Sequence, residues 1–352
     1  MSGNAAGIAT GYGALLGRKA AVAGLLLAAV VLLALAALAV GSYPLSPGDV
    51  LAALAGRADG VTAHIVGSIR LPRAAAAVVA GASLGIAGAV MQNVIRNPLA
   101  SPFTLGVSQG AAFGAALAIV SLGGSAAKGL ATTMQAWLTA LSAFAGALAT
   151  VAAILMLSAL RRLAPATLIL AGVAMSALFG AATMFLQYFS TDSQLAATVF
   201  WTFGDLGRAG WRDILLMTAA LAPALAYFLW NSWGYNALEW GDETAGGLGV
   251  SVGRLRLGSL AASALVAAVT VACLGVIGFV GLVAPHIMRF FVGDDHRFLL
   301  PCSALCGSML LLAADILSRL LLAPVVVPVG IVTTFAGAPL LLYLLMKGRK
   351  VP

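Results

Sequence analysis

Apolar residues run along this chain in blocks of about twenty, with polar residues gathered between the blocks. The first block is unbroken from Ala20 to Val40. Further blocks cover residues 74–92, 105–122, 135–158, 166–189, 212–231, 257–276, 278–292, 299–319 and 328–346. A helix rises about 1.5 Å per residue, so about twenty apolar residues cross the ~30 Å hydrocarbon core of a bilayer. The pattern predicts an all-α polytopic membrane protein with ten transmembrane helices. Arg18 and Lys19 precede the first block, which is roughly twice the length of a signal-peptide core. It therefore reads as a retained span after a tail at 1–19, with a second tail at 347–352 and a membrane domain at 20–346. Glycines between Gly275 and Gly281 leave a re-entrant turn open as the alternative to a loop.

The polar intervals carry their own signals. Ser46 followed by Pro47 predicts a short surface helix, with the serine as cap and the proline at the first helical position. A similar short piece is expected after Thr191, where DSQLAATVFWTFGDLG is too interrupted to span. The interval 231–256 holds Glu239, Asp242 and Glu243, then Gly246, Gly247 and Gly249. That spacing predicts two short helices broken by glycines, facing water or a partner.

Composition agrees with the blocks: 62% hydrophobic and 9% charged residues, with a mean hydropathy of +1.05. The length suits one membrane bundle, with no room for a second, soluble catalytic domain. A net charge of +8 raises nucleic acid as a partner, but the basic residues are scattered between apolar runs, as membrane topology requires. Ten spans put both termini on one side. Alternate loops then place twelve of the 19 Lys and Arg residues on the side of the termini and seven on the other, which predicts cytoplasmic termini.

The remaining candidate chemistry is sparse. All acidic residues fall in expected loops or near span ends, Asp315 included. Carriers coupled to protons or sodium need an ionisable group at membrane depth, so an ion-coupled carrier is the weaker reading. His64, His286 and His296 stand at no catalytic or metal-ligand spacing from a carboxylate on one helix. Cys273, Cys302 and Cys306 sit in or beside apolar runs and read as small packed residues. No metal site and no enzyme constellation emerges, and no G-x-x-x-x-G-K-[ST] phosphate loop is present. ATP hydrolysis by that route would require another subunit.

RLPR at 70–73 opens the second block. Pro72 is tolerated at a helix start, and arginines flanking a helix N-terminus oppose its dipole. Arg70 and Arg73 are therefore expected to await an external acidic partner. Gly81, Gly85 and Gly88 lie near one face, suited to close helix packing or to a smooth translocation pathway. Asn97 and Pro98 form a turn that stops the block.

These segments resemble a known family: the FecCD-type permeases of bacterial ABC importers for iron-siderophores, haem and cobalamin. The resemblance rests on RLPR at 70–73, QNVIRNPLASPFTLGVSQGA at 92–111, GVIGFVGLVAPHIMRFFVGDDHRFLLP at 275–301, LLAADILSRL at 311–320 and PVGIVTTFAGAP at 328–339. It implies the type II ABC importer permease fold and a homodimer in the bacterial inner membrane, with lipid around it. Two separate ATPase subunits would bind ATP and Mg, and a periplasmic binding protein would deliver substrate. The chain itself would hold no cofactor. By motif, Arg70, Arg73 and Arg319 would dock the binding protein. Ala237, Leu238, Glu239, Gly241, Asp242, Glu243, Gly247, Leu248 and Gly249 would meet the ATPase. Asn97, Pro98 and Leu99 would form the inner gate, and Gly81, Gly85, Gly88 and Met175 would line the pathway or pack helices. Two positions depart from the family pattern: Val327 replaces a glutamate before Pro328, and 164–167 reads APAT in place of a Ser/Thr-rich turn. The expected substrate is haem, then a ferric siderophore, then cobalamin.

Overall fold

The computed structural model describes residues 2–41, 43–122, 132–161 and 165–346. The tail at 347–352 and Lys128 and Arg162 of the charge count lie outside them. The described residues are nearly all helical, with one isolated bridge between Leu322 and Val325. Helix α1 is Ser2–Ala39, α2 Pro47–Leu54, α3 Gly60–His64, α4 Leu71–Val94 and α5 Val107–Leu122. Then come α6 Thr132–Arg161, α7 Pro165–Tyr188, α8 Asp192–Thr202, α9 Trp211–Trp230 and α10 Ser232–Glu239. The last five are α11 Asp242–Gly247, α12 Val252–Leu274, α13 Val280–Val292, α14 His296–Leu320 and α15 Val329–Met346. Among the described residues, seven stretches are long and apolar enough to cross a membrane: Leu15–Ala39 of α1, Gly60–Val94, and stretches in α6, α7, α9, α12 and α14. At the other three expected positions lie shorter apolar stretches of 10–17 residues: Val107–Ser121 in α5, Val280–Val292 in α13 and Val329–Tyr343 in α15.

The short surface helices follow their caps. Ser46 and Asp49 form a reciprocal capping box at α2 with Pro47 in the first turn. Thr191 and Gln194 do the same at α8. The 231–256 interval folds as α10 and α11, the two short helices expected there.

One expectation changes, the helix start at Pro72, and two other segments gain detail. Helix α1 reaches back to Ser2, so the stretch expected as a tail at 1–19 is largely helical. No helix starts at Leu71: α3 runs through a π-helical turn, Ile65–Arg70, directly into α4. The wider turn lets Leu71 N–H donate to Val66 O while Pro72, which has no N–H, sits inside the continuous helix. Arg70 and Arg73 are therefore not at a helix N-terminus, and the unfavourable-dipole argument does not apply to them. Between α12 and α13 the chain is non-helical, with Gly275 at φ +80° and Phe279 at φ +65°. Carbonyls in it and at the end of α12 are paired inside the protein: Gly204 N–H donates to Val276 O (3.1 Å) and Asp205 N–H to Leu274 O (2.9 Å). Such pairing is what allows irregular backbone at membrane depth.

Helix α4 is the hub of the bundle, packed by α14, α12, α13 and α9. Its glycines make this possible. A Cβ on Gly81 would lie 2.4 Å from Gly307 O, one on Gly85 2.2 Å from Ser303 O, and one on Gly88 1.8 Å from Gly281 O. The three glycines thus sit at backbone-to-backbone crossings with α14 and α13. Ser308 Oγ seals the α14 crossing by donating to Val78 O at 2.7 Å.

Candidate functional site

Polar chemistry concentrates at the two ends of this bundle. At the end bearing α2, α3 and α8, helix α1 stops at Ala39 and leaves carbonyls without partners in the helix. Two arginines satisfy them. Arg70 Nη1 donates to Leu38 O (2.7 Å) and Ala39 O (2.8 Å), and its Nη2 donates to Tyr43 O. Arg319 Nη1 donates to Ala37 O (2.9 Å) and Val40 O (2.7 Å). Positive charge at a helix C-terminus also suits the dipole.

Asp315 lies beneath these guanidinium groups with its side chain 0% exposed. Arg73 Nε reaches it at 2.6 Å and Arg319 Nη2 at 2.7 Å, while Arg73 Nη2 lies 3.8 Å from Asp205. The arginines expected to meet an external acidic partner are thus already paired within the chain. The side chains of Arg73 and Arg319 are about nine-tenths buried, and Arg70 is 6% exposed as a residue. All three are engaged within the chain. Asp315, expected near a span end, lies five residues before the end of α14, fully enclosed and paired with its arginines.

The opposite end gathers the expected gate and coupling residues. Helix α4 ends at Val94, and the next turn is pinned by Asn97, whose Oδ1 accepts the Leu99 N–H at 2.8 Å. Arg96 adopts φ +53°, a left-handed backbone that side-chain-bearing residues rarely take. Pro98 and Leu99 are exposed. Beside this turn, Leu238 is buried and Ala237 half-buried, while Glu243, Gly247, Leu248 and Gly249 are exposed at the tip of α11. Gly241 and Gly249 take φ +113° and +85°, which separate and end the short helices as a residue with a Cβ would not readily allow. Met175 is half-buried against the core that includes Leu105, Phe228 and Leu238.

A polar cavity of about 260 Å³ lies between the turn and α10, lined by Gln92, Asn93, Arg96, Asn97, Glu239, His286 and Arg289, with Pro98 at its edge. Glu239 faces the buried His296, whose Nδ1 is 3.6 Å away and also meets Asn236 Oδ1 at 3.0 Å. Burial, with Asp294 and Asp295 nearby, pushes the Glu239 carboxyl up to about 7 against the opposing pull of Arg289. Asp295 moves the other way: hydrogen bonds from Arg297 hold it well below the usual carboxylate range.

Sequence reasoning missed Asp315 and His296 as buried partners, and Arg256 as a contact of Asp242. Only Asp315 had a signal, since Arg319 follows it at the i,i+4 spacing of a helical ion pair.

Comparison with known proteins gives the family. A protein of Methanocaldococcus jannaschii named as an ABC transporter permease is 52% identical over 316 residues, 89% of this chain and 90% of its own. The hemin transport system permease protein HmuU of Yersinia pestis is 42% identical, covering 82% of this chain and 84% of its own. The vitamin B12 import system permease protein BtuC of Salmonella arizonae is 40% identical over 91% and 92%. A solved structure of a metal-chelate type ABC transporter in an inward-facing conformation superposes with a TM-score of 0.80 at 33% identity, covering 93% of this chain and 99% of that one. The sequence model of the FecCD transport family matches residues 26–347. The chain belongs to the FecCD transport family.

Proposed function

We propose that this chain is the permease subunit of an ATP-driven importer that moves a metal chelate into the cytoplasm. The observation that carries the reading is the polar end formed by α10, α11 and the 96–99 turn. It presents Trp233, Trp240 and Leu248, each at least 66% exposed, from a helix pair hydrogen-bonded to the turn. Two separate ATPase subunits bearing ATP and Mg would dock there, which also agrees with the missing phosphate loop.

The subunit would be one half of a homodimer of ten-span chains in a bacterial inner membrane, termini in the cytoplasm. Support comes from α7, where 17% of the spanning window is buried, and from the exposed Phe335, Leu342 and Tyr343 of α15. A periplasmic binding protein would dock at the end bearing α2 and α8. There Arg70, Arg73 and Arg319 outnumber Asp315 and Asp205, so an acidic partner still finds positive charge, softened by burial. Haem is the favoured cargo, ahead of a ferric siderophore and cobalamin, with the binding protein setting most of the selectivity.

The test is uptake into proteoliposomes holding this chain, its ATPase and its binding protein, with haem, a ferric siderophore and cobalamin offered singly. Accumulation of one chelate supports the reading and names the cargo. Accumulation of none would refute it.

A further inference from the structure

The turn at 95–100 and the α10–α11 pair come from distant parts of the chain, yet a small set of side chains joins them. Asn93 Nδ2, on the last turn of α4, donates to Tyr235 O in α10 at 3.1 Å. Arg96 Nη2 donates to Leu238 O at 2.9 Å and lies 3.4 Å from Asp242 Oδ1. From the other side, Arg256 of α12 donates through Nη2 to both Asp242 oxygens, at 3.0 and 3.1 Å, and through Nε to Val94 O at 2.9 Å. Asp242 is thus held between one arginine from the turn and one from the helix that follows α11.

Two features suggest that this arrangement is more than packing. The first is the backbone of Arg96. A side-chain-bearing residue at φ +53° carries a strain cost that glycine avoids. The grip on Leu238 O and Asp242 offsets that cost only while α10 and α11 stay in place. The second is exposure. Arg96 and Asp242 are 40% and 43% exposed, so the contact can break and reform in water, whereas Arg256 at 16% is fixed. Gly241, at φ +113°, is the pivot between the two short helices, and it lies beside the Arg96 guanidinium.

We infer that Asp242, gripped by Arg96 and Arg256, is the positioning residue through which movement of α10–α11 reaches the 96–99 turn. This rests on the permease reading and adds the physical link within it. When α11 shifts, Asp242 carries Arg96 with it or releases it, and the strained turn follows or relaxes. Arg256 keeps the fixed end of the clasp on Val94 O.

The test uses the full complex with its ATPase, in a C273A/C302A/C306A background with Leu99→Cys as reporter. Maleimide labelling at residue 99 is measured with and without ATP, alongside chelate taken up per ATP hydrolysed. The parent complex changes its labelling rate with ATP. D242N loses at least five-fold of that change and of the uptake per ATP, and D242E restores most of both. Arg96→Gly is the second variant, because glycine suits the left-handed backbone and folding is not compromised. R96G melts no lower than the parent yet loses the same coupling, a combination that a purely structural role for Arg96 does not give. Unchanged labelling response and unchanged uptake per ATP in both D242N and R96G would overturn the clasp while leaving the permease reading intact. A parent complex showing neither uptake nor any ATP response at residue 99 would overturn the permease reading, and the clasp with it.

Discussion

Replacing Asp315 by Asn tests how the end bearing α2 and α8 is held together. The carboxylate is 0% exposed and receives Arg73 at 2.6 Å and Arg319 at 2.7 Å, whose own side chains are 12% and 8% exposed. Breaking a buried ion pair by removing one partner costs about 3–5 kcal/mol, because a charge is left uncompensated. Two partial compensations lower the figure here. Arg319 Nη1 keeps Ala37 O and Val40 O, and Arg73 keeps Asp205 at 3.8 Å. About 3 kcal/mol is therefore expected, seen as a fall of several degrees in the melting midpoint of the detergent-solubilised protein. A double-mutant cycle isolates the electrostatic part. With Arg73→Met already present, D315N costs at least 1 kcal/mol less, since fewer charges are stranded. A single D315N variant melting within a degree of the parent would refute the claim that this ion cluster secures the helices.

Other consequences follow from the same contacts. Gly88→Ala places a methyl 1.8 Å from Gly281 O and should force α4 off α13, lowering the melting point and yield; Gly246→Ala, with nothing within 4 Å, should cost nothing. Arg70→Lys removes the fork that holds the Leu38 and Ala39 carbonyls. It should cost about 2 kcal/mol and speed hydrogen exchange at the Val40 amide; unaltered exchange would contradict the capping role. Glu239 keeps its proton in the folded protein up to about pH 7, whereas the unfolded chain releases it near 4.5. Its contribution to stability is therefore full below the unfolded value and is lost as pH rises through the folded one. Melting curves of the parent should fall relative to Glu239→Gln between those two values and run parallel above them. Curves parallel throughout would contradict the partly desolvated, acid-crowded setting of Glu239.

How much of this was legible beforehand depends on the kind of signal. Apolar blocks long enough to span located the helices, because burial in lipid demands uninterrupted hydrophobicity. The Ser46 cap marked one short surface helix, because its chemistry is local, and an interrupted apolar run marked the other after Thr191. The glycines at 81, 85 and 88 flagged close approach but not the partner, since Gly281, Ser303 and Gly307 lie some two hundred residues away. Arg70 and Arg73 were misjudged for a similar reason. A one-dimensional reading gives a helix start at Pro72 and exposed charge, while the π turn and the carbonyls of α1 exist only after folding. The 239–249 segment was found by composition, but its tie to Arg96 through Asp242 required the tertiary structure. His296 carried no local clue, because its partners Asn236 and Glu239 belong to another helix.

The most direct test of the central claim asks what drives transport. Proteoliposomes holding the chain with its ATPase and binding protein are given the chelate under two conditions, ATP without an ion gradient and a proton or sodium gradient without ATP. The account predicts accumulation with ATP alone and none with either gradient. Accumulation driven by a gradient without ATP would contradict it and turn attention to Asp315 as an ion-coupling carboxylate.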